Sequence, residues 1–287
     1  MTWPSGIFLF FLGGAFGSFL NVVALRYDPE RFLFHPKVIG GRSSCPHCRT
    51  KLGAHELIPF LSWLWQRGKC RSCSKRIAVR YLLVELSAGF LTLLTPFFAL
   101  KVYSLTAYFP LLAGLWTAVF LLLLLITLID LRLMLIPDEA TIIILLLALA
   151  IIWFSPPPFA LTTGSFFGSY APLLGYSENA IANHAWGLLF SAGFFFLLYL
   201  LTRGRGMGFG DVKLAGALGI LFGWPDILLL TMLAFVSGSV IGIYFWARGA
   251  RLKKLLPFGP FLAFAAFLLF AYGPELVRVY FSLFGAW

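Results

Sequence analysis

The sequence predicts an all-α polytopic membrane protein. We expect about eight transmembrane helices and a small cytoplasmic four-cysteine insert, zinc-ribbon-like, between the first two. Composition leads there first: of 287 residues 60% are hydrophobic and 18% aromatic, too little polar surface for a soluble globule of this length. Run length agrees, since "LLAGLWTAVFLLLLLITLI" (111–129) is long enough to cross roughly 30 Å of hydrocarbon as a helix. The alternation of a transmembrane β-barrel is not visible. Charge placement completes the argument. Twelve of the 22 Lys and Arg fall between Arg26 and Arg80, and most others cluster at Arg203–Lys213 and Arg248–Lys254, each at the end of an apolar run. That is a positive-inside distribution facing lipid, so the net charge of +11 does not imply a nucleic-acid partner.

Taken in order, the spans are expected at about 4–25, 82–100, 106–130, 139–154, 184–202, 211–224, 227–247 and 258–280. An even number starting outside puts the basic segments 26–80, 131–138, 203–210 and 248–257 in the cytoplasm. The loop 155–183 carries no Lys or Arg and fits the outer face. The first span lacks a basic n-region and an A-x-A cleavage site, so it reads as a retained helix. No internal repeat stands out. The expected organisation is a first helix (1–25), a metal-binding insert (26–80) and a seven-helix membrane bundle (81–287).

The insert holds all four cysteines, as Cys45-x-x-Cys48 and Cys70-x-x-Cys73. Two thiolates on a tight knuckle span one edge of a tetrahedron, and a second knuckle completes a closed four-thiolate zinc site. In the reducing cytosol disulfides are disfavoured, and a module this short gains from a metal staple. The alternatives are reduced cysteines in a loop and a redox dithiol. His47 and His55 read as ordinary surface residues, because four thiolates already saturate the ion.

Acids at membrane depth are costly unless used. Asp138 follows Pro137 and heads an apolar run, the pattern of an N-cap. Asp130 closes the third span and has no such structural role, unless it pairs with Arg132 at the interface. Asp211 opens a sixth span too short for a bilayer, behind glycines at 206, 208 and 210 that permit irregular backbone beside a watery cavity. An N-cap is its alternative reading. Two aspartates facing one cavity suggest an aspartyl protease, sharing one proton between base and acid. Asp211, at a helix N-terminus, is expected to hold the negative charge, and Asp130, near a helix C-terminus or in apolar packing, the proton.

At this point the residues resemble a family. "GMGFGDVKL" (206–214) looks like the GxGD signature of intramembrane aspartyl proteases. With "GSFLNVVALR" (17–26), the two CxxC pairs, "VEL" (84–86) and "IDLRLMLIPD" (129–138), the chain resembles bacterial type IV prepilin peptidases. The resemblance implies Asp130 and Asp211 as the catalytic pair, with Gly208, Gly210, Lys213, Glu85 and Asn21 supporting them. It implies methyl transfer involving Gly68 and Lys69, with S-adenosylmethionine as donor, although no Rossmann-like glycine motif marks a pocket. It implies type IV prepilin or pseudopilin substrates in a bacterial inner membrane, cut at the cytoplasmic face after a Gly and N-methylated on the new amino terminus. Three rivals stand beside it: an ion-coupled transporter, a membrane scaffold whose metal module docks partners, and a peptidase lacking the methyltransferase.

Overall fold

The computed structural model describes residues 3–45, 47–103, 106–155, 165–249 and 256–283. Residues 156–164 of the expected outer loop and 250–255 of the last basic segment lie outside the described residues. The described residues contain no strand, only isolated bridges. Helix α1 (Trp3–Arg26) is followed by the short α2 (Pro36–Ile39) and α3 (Leu61–Trp65) of the insert. Then come α4 (Val79–Tyr103), α5 (Phe109–Leu133), α6 (Asp138–Phe154), α7 (Ala180–Leu201), α8 (Phe209–Phe222), α9 (Asp226–Ala247) and α10 (Gly259–Leu283).

An apolar helix stands at each of the expected places, and among the described residues six of them, α1, α4, α5, α7, α9 and α10, are long and apolar enough to cross a membrane. Helix α6 has 17 residues and α8 only 14. At 1.5 Å per residue α8 reaches about 21 Å, well short of a hydrocarbon core. The expected eight crossings are therefore six helices of spanning length and two shorter ones.

The chain divides into two compact units, Met1–Phe97 and Phe98–Trp287. In the first, α1 and α4 meet along small residues. A Cβ at Gly17 would lie 2.7 Å from that of Ala88, so the backbones approach as small-residue membrane interfaces allow. Phe60 of the insert stacks on Phe10 of α1 at 4.8 Å and is buried.

The core of the second unit is α8, which packs against α6 and α7 and touches α9 and α10. Its residues Leu214–Gly219 are all buried, so the short helix is wrapped by protein. Glycines make the α7–α8 approach possible: a Cβ at Gly219 would lie 2.8 Å from the Gly187 carbonyl carbon. Facing aromatics, Trp116, Phe120, Phe267 and Phe270, fill the space between α5 and α10. Helix α10 departs from helical geometry at Tyr272, two residues before Pro274, whose ring crowds the preceding turn.

Candidate active site

The end of α8 that carries Asp211 is built from local backbone rules. Gly208 is the N-cap, in extended conformation, and Asp211 is the third helical residue. Its Oδ2 accepts the Gly208 N–H at 3.0 Å, satisfying one of the donors a helix start leaves unpaired. Asp211 is therefore not the N-cap itself. It is 7% exposed, and its charge falls on the positive end of the α8 dipole.

Asp130 arrives from the opposite kind of helix end. It lies in the last turn of α5, where Met134 takes a left-handed conformation and donates its N–H to the Asp130 carbonyl at 2.8 Å. That reversal buries Ile136. The Asp130 carboxylate, 4% exposed, accepts the N–H of Gly259, the first residue of α10, at 3.0 Å. A Cβ at Gly259 would sit 2.7 Å from Asp130 Oδ2, so the carboxylate needs glycine there. Ile136 is the shared neighbour of the two sites. Its Cβ would lie 3.0 Å from a Cβ at Gly210, and its Cδ1 3.5 Å from one at Gly259. The two carboxyls lie within electrostatic reach of each other.

This placement adds a helix start to the surroundings of Asp130. Asp130 does end a helix, but it also faces the N-terminus of α10, so each carboxylate takes a backbone N–H from a helix start. Asp130 thus meets the end of α5 as well as the start of α10, whereas Asp211 meets only the start of α8.

Asp138 is corrected too. The N-cap of α6 is Pro137, and Asp138 occupies the first helical turn without capping it. Its carboxylate instead holds Lys213 Nζ at 2.8 Å through both oxygens, and the same ammonium sits 5.3 Å from the Phe209 ring centroid. Lys213 thus ties α8 to α6.

Sequence reasoning missed a third buried aspartate. Asp226, in the first turn of α9, accepts from the Ser165 hydroxyl at 2.6 Å and the Phe166 N–H at 3.0 Å. Gly259 and Ile136 were missed as well. Gly259-Pro260 before an apolar run is a readable helix start, but nothing local says which carboxylate its N–H meets.

In the first unit the cysteines converge. All four Sγ atoms lie within 4.8 Å of one another, and none is in a disulfide. Cys45 and Cys73 are 3.9 Å apart, Cys48 and Cys70 4.0 Å. These match the edge of about 3.8 Å that Zn–S bonds of about 2.3 Å give a tetrahedron. The set is arranged to hold a metal ion. Hydrogen bonding from the Thr50 side chain and backbone holds the exposed Cys48 thiol down at about 6, which favours the thiolate that ligates.

The two knuckles are copies, a local repeat the sequence reading did not find. Cys45 N–H donates to Thr50 O and Arg49 N–H to Cys45 O; Cys70 N–H donates to Lys75 O and Ser74 N–H to Cys70 O. Each loop closes with a bridge, Ser44 to Lys51 and Lys69 to Arg76, and the residue after each second cysteine has positive φ, 58° at Arg49 and 57° at Ser74.

Of the remaining expected residues, Gly68 is buried at φ 66° against the Trp63 indole, while Lys69 is exposed. Glu85 is buried and accepts the Phe60 N–H at 2.8 Å. Phe60 has a φ of 59°, so this carboxylate stabilises a strained turn of the insert on α4. Asn21 is fully buried, and neither side-chain polar atom has a partner. His47 and His55 are exposed, as expected.

The model of the bacterial peptidase A24 N-terminal domain matches residues 11–98, and that of the type IV leader peptidase family matches residues 117–243. The chain is 33% identical to the prepilin leader peptidase/N-methyltransferase of Aeromonas salmonicida, over 96% of this chain and 93% of that protein. The same name belongs to a protein of Aeromonas hydrophila, 34% identical over 97% and 93%, and to one of Dichelobacter nodosus, 32% identical over 96% and 95%. This chain belongs to the type IV leader peptidase family. No solved structure matches it. In this family member the first match covers the cysteine knuckles and Glu85, and the second covers both Asp130 and Asp211.

Proposed function

We propose that this leader peptidase family member cleaves the leader from type IV prepilins or pseudopilins by an aspartyl mechanism and N-methylates the new amino terminus with S-adenosylmethionine. The observation that carries the peptidase reading is the burial of Asp130 and Asp211 in sites that share Ile136 as a neighbour, each carboxylate holding one backbone N–H. Two close carboxyls favour a singly protonated state. The ionised member takes a proton from water as the oxygen attacks the scissile carbonyl, and the protonated member donates to the carbonyl oxygen. Collapse of the diol returns a proton to the leaving amine, without a covalent enzyme intermediate. Names of the relatives support the methyltransferase half. The cut falls after a Gly, where unwound substrate backbone reaches the aspartates while the following apolar helix remains in lipid.

The basic segments support an orientation with the cysteine insert and Asp211 toward the cytoplasm of a bacterial inner membrane. Zinc is the ion that best suits four thiolates at tetrahedral edge distances, and its role is to stabilise the insert. Incubating the purified protein with a prepilin and labelled S-adenosylmethionine, followed by mass spectrometry, tests both halves. The expected product is shortened at its amino terminus and heavier by one methyl. Uncut substrate defeats the peptidase reading, and cut but unmethylated product leaves a peptidase only.

A further inference from the structure

We propose that residues 57–65 of the cysteine insert form a re-entrant loop that dips into the bilayer beside α1 and α4, with its outer face on lipid acyl chains. The insert as a whole is basic, and this segment is its exception.

Depth is read from the helix that the loop touches. Phe60 is buried, its ring stacked on Phe10 of α1 at 4.8 Å and 5.7 Å from the ring of Phe11. Any side chain at Gly14 would collide with that ring. Gly14 lies twelve residues before Arg26, about 18 Å along the helix at 1.5 Å per residue. Because α1 is long and apolar enough to span, this point falls near the middle of a hydrocarbon core about 30 Å thick. A residue that touches the middle of a spanning helix is itself at hydrocarbon depth. The α4 side agrees. Phe60 donates its N–H to Glu85 at 2.8 Å, and the Glu85 Cα would lie 3.0 Å from a Cβ at Gly17 of α1.

Irregular backbone survives at that depth only where protein or a watery cavity meets its polar groups. Here Pro59 has no N–H to lose. The Phe60 N–H goes to Glu85, and those of Leu61, Ser62 and Leu64 return to the carbonyls of Pro59, Ile58 and Phe60. Glu85 thus supplies the acceptor at the break, where φ is 59° and a helix cannot.

The chemistry of the segment divides by face. "LIPFLSWLW" carries no charge and a single hydroxyl, between Glu56 and Gln66. On α3, Leu61, Leu64 and Trp65 share one side at helical spacing, and all three are exposed, Trp65 by 79%. Ser62 and Trp63 turn instead to a cavity of about 550 Å³ that Ser18 and Glu85 also line. An outward face of leucine and tryptophan is unfavourable in water and ordinary in lipid. Phe16 and Phe19, either side of Gly17, and Leu83, close to Glu85, are exposed as well. The loop therefore extends a lipid-facing surface that the spanning helices already present, at a depth a water-borne partner does not reach. Cys48 and Cys70 flank it in the chain, so it tethers both knuckles to the membrane at a third point besides α1 and α4.

The test uses the full chain in phosphatidylcholine vesicles. Trp65 is one of nine tryptophans, so its emission is taken as the difference between wild type and Trp65→Phe, a change on an exposed face. Bromine at mid-chain of the phospholipid should remove most of that difference emission, while iodide in the water should leave it. A phospholipid with a mid-chain diazirine should, on irradiation, attach to Leu61 and Leu64 as it does to Phe16 and Phe19, read by mass spectrometry of the digest. This second arm needs no variant. Iodide quenching without bromine quenching puts the face in water and overturns the proposal. Quenching by neither, with no adduct on Leu61 or Leu64, puts the face under protein and overturns it as well. Adducts from a headgroup diazirine but none from the mid-chain probe place the segment on the surface and end the re-entrant reading.

Discussion

The cysteine cluster and the aspartate pair are built on opposite plans. Each cysteine knuckle is closed by its own hydrogen bonds within a few residues, and the two knuckles repeat the same geometry. The aspartate site is closed locally only at Asp211, whose carboxylate takes the Gly208 N–H. Asp130 is fixed by an N–H that comes 129 residues later in the chain, from Gly259, and Ile136 fills the space beside both Gly259 and Gly210. A local motif tolerates changes elsewhere, whereas a dispersed one depends on every helix that carries a part. The largest tests of this contrast are at the carboxylates. Asp130→Asn and Asp211→Asn should each lower leader cleavage by about 10³-fold, in the range general acid–base groups contribute. Asp138→Asn should retain most activity, since its partner is an exposed lysine rather than a reacting group. Equal loss in all three folded variants breaks the assignment.

The second test asks whether backbone placement matters as much as the carboxylates. Gly259→Ala puts a methyl 2.7 Å from Asp130 Oδ2, too close for the carboxylate to stay where it is. Cleavage should fall about 100-fold, the cost of misplacing a reacting group by roughly an ångström. The thermal midpoint should change little, because the methyl meets a movable side chain. Activity equal to wild type means that the Gly259 hydrogen bond does not position the acid.

The local site should fail differently. Cys45→Ser should release the metal and abolish amide protection in 44–51 and 69–76, the two closed loops, while α8 keeps its protection. Metal analysis and hydrogen exchange with mass spectrometry read both effects. If wild type contains no metal and the loops are still protected, their hydrogen bonds suffice and zinc is not the staple.

How much of this was legible follows the same division. The apolar runs placed each helix within a few residues, because hydropathy is a property of the segment itself. Cysteine spacing gave the ligand set for the same reason, although the 21 residues between the pairs hid the repeat that only backbone geometry displays. Asp211 was readable from the shortness of α8 and the glycines before it. Asp138 was misread as a cap because the rule used concerns its own helix, while the carboxylate is taken by Lys213 from another. Asp226 sits after Pro225 where a helix-start acid looks ordinary, and its burial against Ser165 is a tertiary fact. Glu85 stood out as an acid in a span, but its partner, the Phe60 N–H, depends on how the insert folds back.

The smallest effect belongs to Lys213, and it separates structure from chemistry at the edge of the aspartate site. The Lys213–Asp138 pair is close at 2.8 Å, yet its side chains are 39% and 61% exposed. Water screens such a pair, so a double-mutant cycle with Lys213→Met and Asp138→Asn should give a coupling below about 1 kcal/mol. The methionine keeps the unbranched length of the lysine stem and removes only the charge, so α8 should remain seated. If Lys213 serves only to tie α8 to α6, the single and double variants should cleave alike, within about fivefold of wild type, the rate equivalent of that small coupling. A large loss in Lys213→Met that Asp138→Asn neither mimics nor modifies would instead give the ammonium a role toward Asp211 or the substrate carbonyl. Cleavage rates of the four proteins, measured on one prepilin at saturating concentration, decide between the two.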